Sequence, residues 1–419
     1  MIRYGLRCLG CDDAFWVRVG ADSTGGTKFY LLCPNCSLPI RATARGEDLY
    51  TFDVKFDAVR VESLADDAKV VTANPFVPAR PGADSDSPLE AFSMMTLHHL
   101  LGDDVFAFIQ SLGSARSTVA HNWPPVRRIY EYYLDGNWPA FDRAVASTFP
   151  DVNWPNGATV QERATRAHMA ILAGTVELVI PSDQLHRYFD RYSQKHTAAL
   201  RVPEYRALLV TDFEDGKLKR LQRSLFDLID LFVQRSEMWA MGGLERVVPN
   251  DRRTFLDDLV LARDEFGELR DLYQQGFELI CKTLRFLVAA QNTVKRMDPN
   301  DFGPDVPPRV PANRHPTNLS QFDKLPNAHR IEYVGQVPGW EGLAAVLDNK
   351  IRNTIGHATV RHDLRSSRIV SDQNADGITY LQFLAGVYDL FEALTFALQV
   401  LRFARIASSP DFTKAPTAR

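Results

Sequence analysis

Two Cys-x-x-Cys pairs, Cys8/Cys11 and Cys33/Cys36, stand 21 residues apart near the start of the chain, and no other feature restricts its folding as tightly. Two residues between cysteines let a tight turn present both sulfurs to one ion, and two such turns complete a tetrahedral set. Four thiolates leave no open coordination position, so the expected ion is a structural zinc, not a catalytic one. The β-prone runs at 15–19, 29–32 and 49–54, rich in aromatic and β-branched residues, fit strands leading into and away from those turns. The fifth cysteine, Cys281, lies in the apolar run Phe277-Glu278-Leu279-Ile280-Cys281 and reads as a small core residue.

The cysteine arrangement resembles a zinc ribbon, expected over residues 1–73. Trp16, Arg18, Lys28, Tyr30, Arg41 and Arg45 would suit a basic, aromatic surface for single-stranded nucleic acid. Alternation of aromatics is also what strands require, and the favoured reading is a small module that docks on the rest of the protein. A net charge of -4 excludes a globally basic surface, so any nucleic acid is expected to meet a local site. Residues 1–10 lack the apolar stretch of a secretory signal, and no run approaches about 18 uninterrupted apolar residues. A cytoplasmic, soluble protein without a membrane partner is expected.

Beyond the ribbon the chain is expected to be mainly α. The proline-, serine- and aspartate-rich segment 74–88 reads as a linker. A helical module is expected over 89–215, cut into short helices by prolines 124, 125, 139, 150 and 155. A second helical domain is expected over 216–407, and a disordered tail over 408–419. Within 216–407, Leu221, Leu225, Leu228, Ile229 and Phe232 form an apolar stripe whose intervening polar residues read as a solvated face. Thr254, with Asp257 three residues on, predicts the N-cap of a long helix reaching about Met297. The proline-rich stretch 298–340 reads as a long loop, 368–383 as a hairpin turning at 374–377, and 384–403 as a last apolar helix.

The chemistry-bearing motif is Arg352-Asn353-Thr354-Ile355-Gly356-His357. On a helix over 343–360, Leu343, Leu347, Ile351 and Ile355 recur every fourth residue as the buried face. Asn349, Asn353 and His357 recur with the same period roughly 160° away, with Arg352 beside them. Such a face presents an amide, an imidazole and a guanidinium together, the groups that RNA cleavage without a metal requires. An imidazole takes the 2′-hydroxyl proton or protonates the leaving oxygen. A guanidinium grips the phosphate and its developing charge. One copy supplies one histidine, and two copies across a twofold axis would supply acid and base.

This string resembles the Arg-x4–6-His signature of the HEPN superfamily, in many members of which asparagine follows the arginine. The resemblance covers residues 218–407, and only the six-residue motif is specific. It implies a helical bundle that dimerises at its motifs and an endoribonuclease leaving 2′,3′-cyclic phosphates, with tRNA or mRNA as substrate. His357 would be the general acid/base, Arg352 the phosphate ligand and Asn353 the orienting group. Bacterial relatives are often toxins or anti-phage abortive-infection effectors, which implies a regulatory protein partner or a trigger sensed by the central module. The bare spacing is weak: Arg116–His121 and Arg191–His196 also fit it, with Ser117 and Tyr192 after the arginine, and both read as incidental surface pairs. Two other functions compete: a non-catalytic HEPN-like scaffold for a partner enzyme, and a zinc-dependent nucleic-acid-binding regulator. His98-His99 point about 100° apart on a helix and make a poor metal pair, and His362-Asp363 reads as support for the site or a helix end. No phosphate-binding Gly-x-x-x-x-Gly-Lys-Ser/Thr loop and no Gly-x-Ser-x-Gly elbow occurs.

Overall fold

Strands β1 (Ile2–Cys8) and β2 (Ala14–Val19) alternate as half-buried strands do, with Leu6, Phe15 and Val17 inside while Arg3 and Arg7 face water. The structure is a computed structural model that describes residues 2–19, 27–45, 51–73, 75–79, 93–152, 154–155, 157–179, 183–347, 351, 355, 360–372 and 374–408. A second hairpin, β3 (Thr27–Leu32) and β4 (Pro39–Arg45), is followed by β5 (Thr51–Lys55), β6 (Ala58–Val61) and β7 (Val70–Ala73). The strands form two sheets, ordered β6-β1-β2-β7 and β3-β4-β5, with β7 parallel to β2 and the other neighbours antiparallel. Leu6, Phe15 and Val17 share one core with Phe29, Leu31 and Ile40. A core this small rarely holds a module of such size without a further staple.

The rest of the chain is mainly helical, as expected. Compactness divides it into two units, each assembled from three segments. The first comprises Met1–Gln110, Glu237–Asp271 and Lys350–Val387; the second comprises Ser111–Ser236, Leu272–Asn349 and Tyr388–Arg419.

Within the first unit the strand module is docked. Phe29 pairs antiparallel with Arg263, and Ala79 with Val260. The Tyr30 N–H donates to the Ala262 carbonyl (3.3 Å) and the Asp264 N–H to the Lys28 carbonyl (3.1 Å). This pairing overturns the helix start expected at Thr254. Residues Asn250–Asp258 form 3₁₀ turns, 259–265 are not helical, and the helix runs over Phe266–Arg296. A capping signal acts locally, whereas backbone bonds to distant strands hold 260–264 away from helical angles. Of the expected linker, 75–79 is packed, with Phe76 buried; residues 74 and 80–88 lie outside the described residues.

The same unit holds β8 (Arg361–Asp363), β9 (Arg368–Ser371) and β10 (Asn374–Thr379), an antiparallel sheet ordered β10-β9-β8. Asn374 pairs with Ser371, so the turn lies between them and not at 374–377. The register then jumps to Ile378↔Ile369, a bulge that holds Gly377 at φ 56°. A Cβ on Gly377 would strike the Ile369 carbonyl, so turn chemistry is spent here on a bulge. The last helix, Tyr380–Ala407, starts earlier than expected.

In the second unit Pro139 acts as predicted and opens Trp138–Thr148, whose N-cap Asn137 accepts from the Ala140 N–H at 3.3 Å. Pro124 and Pro125 do not cut the chain as expected: a π-helical segment, Thr118–Asn122, runs without a break into helix Trp123–Asp135, whose first turn holds both prolines. Thr159 and Glu162 form a capping box at the start of Val160–Val176. Helix Lys217–Gln234 buries Leu225, Leu228, Ile229 and Phe232 of its expected stripe and half-buries Leu221, but two polar residues expected on a solvated face, Gln222 and Asp230, are buried as well. The stretch 298–340, expected to be a loop, contains helix Asn327–Gly335 and its own aromatic cluster. There Phe302 stacks on Phe322 with ring centres 5.7 Å apart, and His315 lies 2.8 Å from both the Tyr333 hydroxyl and the Gly303 carbonyl.

Helix Tyr380–Ala407 corrects the membrane expectation in one respect: 28 residues long, it is apolar enough to cross a membrane by length and composition. Its most apolar window is 83% buried inside the protein, which is how a core helix behaves. Cys281 is buried, as expected. Of the tail, only Ser408 lies within the described residues.

Candidate functional site

The four N-terminal cysteines sit on two knuckles with the same hydrogen-bond pattern. In the first, the Cys8 carbonyl accepts from the Asp12 N–H (2.9 Å) and the Cys8 N–H donates to the Asp13 carbonyl (2.9 Å). In the second, the Cys33 carbonyl accepts from Ser37 (2.9 Å) and the Cys33 N–H donates to Leu38 (3.0 Å). Each knuckle closes through a left-handed residue, Asp12 at φ 60° and Ser37 at φ 58°. Aspartate and serine tolerate that backbone because short polar side chains find local partners.

All five cysteines are free thiols. The sulfurs of Cys8, Cys11, Cys33 and Cys36 lie within 4.8 Å of one another, so the four could hold a metal ion. Cys8 Sγ is 3.7 Å from Cys36 Sγ, and Cys11 Sγ is 3.6 Å from Cys33 Sγ. A tetrahedron with metal–sulfur bonds of about 2.3 Å has edges of about 3.8 Å, which those separations match. The Gly10 N–H lies 3.4 Å from Cys8 Sγ and donates to it. Burial pushes the Cys33 thiol up to about 12 and raises Cys8, while the Asp13 N–H holds Cys11 down at about 7. A bound cation is what would keep the buried pair as thiolates at neutral pH.

Three of the basic and aromatic residues of this module, Lys28, Tyr30 and Arg41, take part in its docking within the first unit. Lys28 Nζ bonds Glu268 at 2.6 Å, and Arg41 Nε bonds Asp264 at 2.9 Å. Tyr30 is buried, and the Arg3 guanidinium covers the Trp16 ring at 5.4 Å. Three of the six residues that would suit a nucleic acid are therefore engaged in docking the module.

The motif residues Arg352, Asn353 and His357 lie outside the described residues, as do Asn349 and Gly356. Of the helix expected over 343–360, Glu341–Val346 is helical and stops at Leu347, whose ψ is 5°. Ile351 and Ile355 are again helical, and Arg361 is in β8. Of the residues expected on the apolar face, Leu343, Leu347 and Ile355 are buried, although Leu347 lies past the end of the described helix. Ile351 is half-buried and packs where a Cβ on Gly386 would collide with it.

His362, expected at a helix end or behind the site, is instead a strand residue in an aromatic box. Its ring stacks on Tyr380 (4.7 Å between centres, 12° between planes) and meets Tyr30 edge-on at 5.6 Å. Neither ring nitrogen has a partner among the described residues. Burial lowers His362 to about 4, helped by Arg41 and opposed by Asp363.

Of the competing Arg-x4-His pair, Arg191 is exposed as expected but His196 is not. His196 is buried with Nδ1 2.9 Å from the Tyr205 hydroxyl, and burial lowers it to about 4. Arg191 donates to the Gly339 carbonyl. His121 is exposed, as expected. Nor are His98 and His99 a metal pair: His98 Nδ1 lies 3.1 Å from the Gly102 carbonyl, and the His99 ring meets Phe255 edge-on.

A third buried imidazole, His168, has Nδ1 2.7 Å from the Ala164 carbonyl and Nε2 3.0 Å from the Tyr130 hydroxyl, and burial holds it well below the usual value. The unfolded chain takes up these protons near pH 6.5. The folded chain binds them at His362 and His196 only near pH 4. Their stabilising contribution is therefore complete above about pH 6.5 and lost as pH falls from there to about 4, at up to about 1.4 kcal/mol per pH unit for each histidine. Melting temperature is expected to drop across that window, and His362→Phe to flatten the curve by about one histidine's slope. An unchanged curve in the His362→Phe protein would refute this account.

Sequence reasoning passed over one cluster, Lys217, Arg220, Lys282, Arg285 and Arg330, whose members converge on one cavity of the second unit. Each reads singly as part of a solvated helix face, and only their meeting distinguishes them. No family model, no curated protein and no solved structure matches this chain.

Proposed function

We propose that the chain is a metal-independent endoribonuclease of the HEPN type, with a structural zinc held by Cys8, Cys11, Cys33 and Cys36. The observation that carries the catalytic reading is the string Arg352-Asn353-x-x-x-His357, with its helix-period partner Asn349. It is supported by the burial of Leu343, Leu347 and Ile355, the face that the same periodicity assigned to the interior. His357 moves the proton at the 2′-hydroxyl or the leaving 5′-oxygen. Arg352 binds the non-bridging phosphate oxygens and the charge that develops there. Asn353 orients the imidazole or the phosphate by hydrogen bonding. A homodimer through the HEPN-like region supplies the second histidine, and RNA in the cytoplasm is the substrate, in toxin-like or anti-phage action. The zinc reading is supported by sulfur separations that match a tetrahedral thiolate set.

The test is incubation of wild-type and His357→Ala protein with total RNA and purified tRNA, without added divalent metal, followed by analysis of the fragment ends. Wild type is expected to leave 2′,3′-cyclic phosphates, and the variant to lose at least about 10²-fold in rate. Equal cutting by both proteins would eliminate the catalytic assignment. Intact RNA with both, together with unchanged partner binding by the variant, would favour the scaffold.

A further inference from the structure

The second unit contains a cavity of about 380 Å³ whose lining is dominated by one sign of charge. Lys217, Arg220, Lys282, Arg285 and Arg330 contribute five cations, against two carboxylates, Asp212 and Asp323. The difference, five minus two, is a local formal charge of +3 in a chain whose net charge is -4. Like charges gathered in a concavity repel one another through low-dielectric walls, and an anion relieves that repulsion.

The internal pairing shows which cations are already satisfied. Arg285 is fixed between Asp212 (3.1 Å) and Asp323 (2.8 Å), and Lys217 lies 3.3 Å from Asp212 and 3.2 Å from Asp215. Arg330 donates to two main-chain carbonyls, those of Leu325 and Cys281, at 3.0 and 3.3 Å. Arg220 and Lys282 have no ion-pair partner among the described residues, and both are exposed at the cavity. Arg285 is 15% exposed, and its Nε–H is buried without a hydrogen-bond partner among the described residues. A merely solvated basic face would not hold a guanidinium fixed in this way beside unpaired neighbours. The remaining lining is one hydroxyl, Ser224, and the apolar Leu221, Leu279 and Phe286.

We propose that this cavity binds a nucleoside polyphosphate, its phosphates among Arg220, Lys282 and Arg330 and its base against Leu221 and Leu279. The volume falls within the range of small-ligand sites, about 300–1,000 Å³. Three cations without a carboxylate partner match the charge of a di- or triphosphate, which two or more charge-assisted contacts would hold. An RNA strand would instead need stacking platforms along an open track, and Phe286, the one aromatic in the lining, is buried. The inference is independent of the proposed ribonuclease, since it is argued without any residue of the Arg352-Asn353-x-x-x-His357 string.

Calorimetric titration of the full-length protein with ATP, ADP and inorganic pyrophosphate tests it. One site per chain is expected, with ATP binding more tightly than pyrophosphate because the base adds apolar contact. The double variant Arg220→Ala/Lys282→Ala is expected to weaken ATP binding about 100-fold. Its melting temperature should stay unchanged, because neither side chain has a folding partner to lose. No saturable binding of any of the three probes would overturn the proposal, as would equal affinity in the double variant. A short single-stranded RNA that binds the same residues more tightly than ATP would also overturn it, in favour of an RNA track.

Discussion

Cys36→Ser is expected to destabilise the strand module as severely as Cys33→Ser, although only one of the two side chains is buried. Cys33 is 1% exposed and belongs to the core, whereas Cys36 is exposed. If the thiols served only as packing, Cys36→Ser would fall within about 0.5 kcal/mol of wild type, as an exposed substitution normally does. If the four sulfurs share one ion, removing any of them forfeits much of a binding free energy of about 10–16 kcal/mol in small zinc modules. A loss of even 3 kcal/mol would lower the melting temperature of a unit this size by about 6–12 °C. Proteolysis within 1–73 and zinc content per chain are the readouts. A silent Cys36→Ser would remove the metal from this account. The docking contacts predict a secondary consequence: loosening β3 should expose the 259–265 segment that pairs with it.

Glu265→Ala is expected to cost about 3–5 kcal/mol, because it strands a buried guanidinium. Arg263 and Glu265 are each 3% exposed and form a two-pronged pair, with Nε to Oε2 at 2.6 Å and Nη2 to Oε1 at 3.0 Å. Arg263 Nη1 also donates to the Glu237 carbonyl at 2.6 Å. The pair itself adds little net stability relative to apolar replacements, since both charges have left water. Removing one partner is different in kind, for the other charge then stays buried and uncompensated. The double variant Arg263→Met/Glu265→Leu should accordingly recover most of the loss, and denaturant unfolding of the three proteins measures it. If Glu265→Ala alone proved nearly neutral, water would have to reach Arg263, and this burial would be misjudged.

Some of the architecture was legible because it is local. Cys-x-x-Cys spacing sets the geometry of each knuckle within a few residues, and both knuckles have the same closing bonds. Pro139 marks a helix start because its missing N–H would be unsatisfied there in any case. The burial of Leu225, Leu228, Ile229 and Phe232 on Lys217–Gln234 follows from the 3.6-residue period.

What the sequence determined by itself is therefore the thiol set, the mainly helical class, the inward faces of the helices and the candidate string Arg352-Asn353-x-x-x-His357, which stays a matter of sequence. Tertiary structure alone decided the rest. The helix after Thr254 was delayed to Phe266 because residues from far earlier in the chain supply extended partners for Val260 and Arg263. His362 and His196 were placed in aromatic surroundings that no local pattern announces. The five cations around one cavity come from three helices distant in sequence, each of which reads alone as solvated there. Periodicity reports which side of an element is buried; what it is buried against depends on non-local partners, and a single chain's local pattern does not encode them.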